Sequence, residues 1–82
     1  MIDEEQMRAA RGLLSWSQQE LADAAGVSQP TIKRIEKLGP GRSAVDTMIS
    51  IQTAMEKAGV EFIPENGGGA GVRWAKRRTD EL

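Results

Sequence analysis

Two helix-start signals, Ser17 and Ser28, stand eleven residues apart with one turn-forming glycine, Gly26, between them. Ser17-Gln18-Gln19-Glu20 is a capping box: the serine hydroxyl accepts from a free amide of the first turn while Glu20 reaches back to the cap's own N–H. Gly26 supplies the left-handed residue that ends the helix, at little conformational cost without a Cβ. Ser28 then offers a second N-cap, and Pro30 falls in a first turn whose N–H groups have no intrahelical acceptor anyway. The segment therefore predicts two short helices, Gln18 to Ala25 and about 29 to 38, joined by one tight turn. Leu21, Ala22, Ala25, Val27, Ile32 and Ile35 fix their steep crossing, and the small alanines let the backbones approach. Such a unit presents the outer face of its second helix as a convex ridge, able to enter a major groove about 12 Å wide.

Around this unit the chain reads as mainly α. A first helix over roughly residues 3 to 14 carries Asp3, Glu4 and Glu5 where the helix dipole favours acids, with Met7, Ala10 and Leu14 on one face. Gly39-Pro40-Gly41 stops the third helix. Ser43-Ala44-Val45-Asp46 reads as a further capping box, opening a helix that runs to about Ala58 with Gly59 as its stop. Its apolar residues Val45, Met48, Ile49, Ile51, Met55 and Ala58 cover more than one narrow stripe, which suits a central core helix and a partner-facing one alike. From Val60 to Pro64 and again from Val72 to Arg77 the period changes to two, around a Gly-rich segment of about seven residues. These runs predict a β-hairpin, with a frayed tail as the competing reading. The expected fold is mainly α: four to five short helices with a helix-turn-helix, followed by a short C-terminal β-hairpin. It divides into a binding domain at 1–59, a hairpin at 60–78 and a tail at 79–82.

Composition removes most other chemistry. The 82 residues include no Cys and no His, hence no zinc-finger ligands, thiol nucleophile or imidazole base. Gly67-Gly68-Gly69-Ala70-Gly71 lacks the spacing of a dinucleotide-binding loop, and no Gly-Lys pair forms a phosphate loop. We expect no enzyme, cofactor or metal. The acidic N-terminus and the lack of any apolar run approaching about 18 residues predict a cytoplasmic protein with no membrane partner.

At Ser17 to Glu36 the residues resemble a known family. The elements Ser17-Gln18-x-x-Leu21-Ala22, Gly26-Val27-Ser28 and Ile32-x-x-x-Glu36 are similar to the helix-turn-helix of Cro and phage-repressor type regulators, the XRE family, over residues 3 to about 59. Arg11 stands where that family carries an arginine pairing with the glutamate matched by Glu36, and Trp16 at its apolar position before the second helix. The resemblance implies a lambda-repressor-like helix-turn-helix fold and a sequence-specific transcriptional regulator, most often a repressor, bound to double-stranded operator DNA. It assigns Gln18 and Ser28 to phosphates and Gln29 to a base, where its amide suits adenine N6 and N7. Arg34 has the fork for guanine O6 and N7; Thr31 and Lys33 stand close enough to contribute, and Lys37 and Arg42 add phosphate contacts. Pro30 departs from the polar residue frequent at its position. Each assignment has a structural competitor: caps for Gln18 and Ser28, a solvated face for Arg34 and Lys37, an internal ion pair for Arg11 with Glu36. Trp16 and Trp74 read as packing residues.

The family usually binds two-fold half-sites as dimers, which implies a homodimer on a palindromic operator. The expected contact is the outer face of the fourth helix, at Ile51 and Met55, with Val60, Phe62, Ile63 and Trp74 of the hairpin. A protein-binding module, such as an antitoxin sequestering a partner protein, is the alternative. The formal net charge of -1 conceals segregation: -3 over residues 1–27, +3 over 28–42, -3 over 43–65, +4 over 71–78 and -2 over the last four. Positive charge thus gathers on the expected recognition helix, its following loop, and Arg73, Lys76, Arg77 and Arg78.

Overall fold

The computed structural model describes residues 1–76; Arg77, Arg78 and the expected tail at 79–82 lie outside the described residues. Four helices come first: α1 (Glu4–Leu14), α2 (Gln18–Ala25), α3 (Gln29–Leu38) and α4 (Val45–Lys57). Strands β1 (Val60–Ile63) and β2 (Gly71–Trp74) then pair antiparallel, with Val60 opposite Trp74 and Phe62 opposite Val72.

Local chemistry fixes the helix ends. Asp3 caps α1 in a reciprocal box with Gln6, its carboxylate accepting from the Gln6 N–H at 2.8 Å and its own N–H donating to Gln6 Oε1 at 3.0 Å. Ser17 and Glu20 close the corresponding box on α2 at 3.0 and 2.9 Å. Gly26 ends α2 at φ 72°, in the left-handed region where any side chain is strained. Ser28 caps α3 through Thr31.

The box expected at Ser43 does not form. Ala44 is the N-cap of α4 and contributes no side-chain hydrogen bond; Ser43 lies one position outside the cap, its N–H turned back to the Pro40 carbonyl and its hydroxyl accepting from Arg34 at 3.2 Å. The helix starts one residue later than a Ser43 cap would place it.

All four helices contribute to one core. Met7 and Ala10 of α1, Leu21 and Ala22 of α2, Ile32 and Ile35 of α3, and Met48, Ile51 and Met55 of α4 are buried together with Ile2 and Val60. Three residues expected at a dimer contact, Ile51, Met55 and Val60, are therefore inside the protomer. Helical phase explains the correction: Met48, Ile51 and Met55 follow i, i+3, i+7 on the inner face, which leaves Val45 and Ile49 outside at 58% and 55% exposure.

The strands are shorter than the alternation suggested, with a seven-residue connection from Pro64 to Ala70. An isolated two-stranded hairpin is marginal in water, and this one leans on the helices. Phe62, Val72 and Trp74 pack against the core, and the Trp74 ring lies over Gly59, where an added Cβ would meet it at 3.8 Å. The buried Gln6 amide donates to the Ile63 and Gly71 carbonyls at 3.3 and 3.0 Å, tying both strands to α1. On the outer face Arg73 pairs with Glu61 at 2.8 Å.

Candidate nucleic-acid interface

The helix-turn-helix places α3 with its polar side outward. Ile32 and Ile35 hold its inner face in the core, while Pro30, Lys33, Arg34 and Lys37 are exposed and Gln29 and Thr31 are half-buried. The acid of the helix, Glu36, is withdrawn from this surface at 3% exposure. Every charge that α3 presents to solvent is therefore positive.

Arg11 accounts for the burial of Glu36. Its Nε and one terminal nitrogen donate to the two carboxylate oxygens at 2.7 and 2.8 Å, and its other terminal nitrogen donates to the Trp16 carbonyl at 3.0 Å, just ahead of α2. Arg8 donates to the Glu36 backbone carbonyl near the end of α3. Two arginines of α1 thus grip α3 from behind. Burial pushes the Glu36 carboxyl pKa up, but hydrogen bonds from Arg11 and Gln18 and the charges of Arg11 and Arg8 outweigh it, leaving the group below the ordinary carboxylate range. The hydrogen bond to Glu36 raises the Arg11 guanidinium against a smaller opposing effect of burial.

The same carboxylate reaches the outer surface through two amides. Gln18 donates to Glu36 Oε1 at 3.1 Å and accepts from the Gln29 side chain at 3.2 Å. A continuous relay therefore runs from Arg11 in α1 through Glu36 and Gln18 to Gln29 at the start of α3. It orients the Gln29 amide, whose Oε1 accepts no hydrogen bond among the described residues. An oriented amide with a free carbonyl and a spare N–H has the donor and acceptor pair that an adenine edge requires.

The remaining expected positions divide. Ser28 and Thr31 are engaged with each other, their hydroxyls 2.7 Å apart, so the Ser28 oxygen already serves the cap. Lys33, Lys37 and Arg42 are exposed. Arg34 is exposed too, but its guanidinium donates to Ser43 in the loop before α4. On the hairpin, Arg73 is spent on Glu61, a surface pair of small energetic weight. Sequence reasoning missed Gln6 as the tie between α1 and the hairpin; the Asp3-x-x-Gln6 box was its available signal, since an amide at N3 of a helix can look backward.

Among the described residues no cluster of acids could hold a metal ion, and no helix is long and apolar enough to cross a membrane. A family model described as Helix-turn-helix matches residues 7–58, which runs from within α1 through α4 and stops before the hairpin. No curated protein matches the chain.

Proposed function

Because the chain belongs to the Cro and phage-repressor type helix-turn-helix family, the XRE family of DNA-binding regulators, we propose that it is a repressor that binds a palindromic operator as a homodimer. In this reading α3 lies in the major groove. Gln29, with Thr31 and Lys33, faces base edges; Gln18, Ser28, Lys37 and Arg42 contact phosphates and set position without reading sequence. The observation that carries the proposal is the surface of α3, whose exposed charges are all positive because its glutamate is buried under Arg11. A net-acidic chain needs such local segregation to be drawn to a polyanion.

The dimer follows from valency and from exposed apolar surface. One helix-turn-helix makes few phosphate contacts, and two on one face of the duplex multiply them, with half-sites about one helical turn apart. Val45 and Ile49 on the outer face of α4 are the apolar residues of that helix left to water. We assign them to the two-fold contact in place of Ile51 and Met55.

Selection of bound sequences from a random duplex pool tests the function directly. A repressor of this kind enriches one sequence with two inverted halves about 10 base pairs apart, centre to centre. Enrichment of nothing above background rejects DNA recognition, and enrichment of a single asymmetric half rejects the symmetric dimer.

A further inference from the structure

Resting on the reading of α3 as the helix that enters the groove, we infer that Arg34 clamps the DNA backbone and does not read bases, acting with Arg42 on one phosphodiester group. Arg34 sits on the exposed side of α3 where a base contact is the simple expectation. Its guanidinium instead donates to Ser43 Oγ at 3.2 Å, across to the loop that leads into α4.

Arg34, Arg42 and Ser43 line a solvent-open cavity of about 360 Å³ together with Leu38 and the turn at Gly39 to Gly41. The lining contains two guanidinium groups and no carboxylate. Neither arginine is ion-paired with an acid among the described residues, whereas Arg11 and Arg73 each are. Two cations around one cavity repel, and an anion between them turns that repulsion into attraction. A phosphodiester presents two unesterified oxygens that match the planar fork of a guanidinium, as guanine O6 and N7 also do, but it carries the negative charge that two unpaired guanidinium groups call for. Gripping it leaves the Ser43 bond in place. Reading a guanine requires Arg34 to leave Ser43 and extend from α3 into the groove, giving up an orientation already fixed.

The experiment measures binding of the full chain to its selected operator and to a scrambled duplex over a range of salt concentrations. Arg34→Ala and Arg42→Ala should each lower both affinities by the same factor, roughly tenfold for a lost charge-assisted hydrogen bond. Each should also flatten the slope of log affinity against log salt by about one, with base preference unchanged at every position. Arg34→Lys should restore the slope but not the full affinity, because it keeps the charge and loses the fork. Both arginines are exposed, so circular dichroism should report an intact fold. Relaxed preference at one base pair in Arg34→Ala overturns the inference in favour of base reading. Unchanged affinity on both duplexes overturns it as well, leaving Arg34 as a partner of Ser43 alone. Wild-type chain that binds neither duplex overturns the DNA reading itself, an outcome distinct from the other two.

Discussion

At Glu36 a single carboxylate joins stability to recognition. It is 3% exposed, accepts from Nε and one terminal nitrogen of the Arg11 guanidinium, and passes its orientation outward through Gln18 to Gln29. Removing Arg11 leaves that carboxylate buried with only Gln18 and the charge of Arg8 to support it. Arg11→Ala should therefore cost about 3 kcal/mol at neutral pH, toward the lower end for a broken buried pair, as read by urea denaturation. The pH dependence has a defined sign. In the wild type the Glu36 pKa is depressed in the folded state, so its contribution is present above the unfolded carboxylate pKa of about 4.3 and is lost as pH falls through the folded value. In Arg11→Ala burial dominates and raises the group, so the variant is penalised most when the carboxyl is charged. The stability gap between the two proteins should narrow on acidification toward pH about 3. A gap that stays constant from neutral to acid would show that the loss came from packing of the Arg11 stem alone.

Among the elements, the turn and the hairpin are held by different means. Gly26 stops α2 at φ 72°, and an added Cβ there would meet nothing within 4 Å, so its requirement is conformational and not steric. Gly26→Ala should lose about 1 kcal/mol and Gly26→Asn less, since Asn tolerates the left-handed region better; thermal melts of the three proteins in that order test it. The hairpin depends on α1 through Gln6, whose amide serves one carbonyl on each strand. Gln6→Ala should cost about 3 kcal/mol for three neutral hydrogen bonds, the two to the strands and the one accepted from the Asp3 N–H, and the protection of strand amides from hydrogen exchange should fall more than that of the α3 amides. Equal loss in both places would mean that the hairpin and the helices open as one unit. The helix boundaries of α2 and α3 were legible because caps and glycines act through neighbours in sequence. Ser43 misled for the same reason. Its hydroxyl had the right spacing for a cap, but the turn that returns its N–H to Pro40 leaves it one position outside α4, and it meets Arg34, nine residues away, only in the folded chain.

For the whole molecule, the distribution of apolar surface decides how two copies could meet. Ile51 and Met55 are consumed by the core, and Val45 and Ile49 remain outside. Ile49→Asp should convert the proposed dimer to a monomer by light scattering while leaving the melting temperature of the protomer nearly unchanged, because the side chain is already more than half in water. A dimer that persists would move the contact to the hairpin, where Phe62, Ile63 and Trp74 keep part of their surface exposed. Loss of the dimer should also weaken operator binding more than binding to a single half-site, since only the full operator gains from two linked contacts.

The sequence by itself determined the helix-turn-helix: its two caps, its glycine turn and the inward isoleucines of α3 follow from spacing and local hydrogen bonding, while the pairing of Arg11 with Glu36 came from the resemblance to the family. Tertiary structure alone decided which face of α4 is inner, since an apolar set broader than one stripe leaves the helical phase open until neighbours pack against it. It also decided where long polar side chains go. Gln6, Arg8 and Gln18 each find a partner in another element and Arg34 one in the loop before α4, and flexible side chains select among acceptors by proximity in space, which spacing along the chain does not encode.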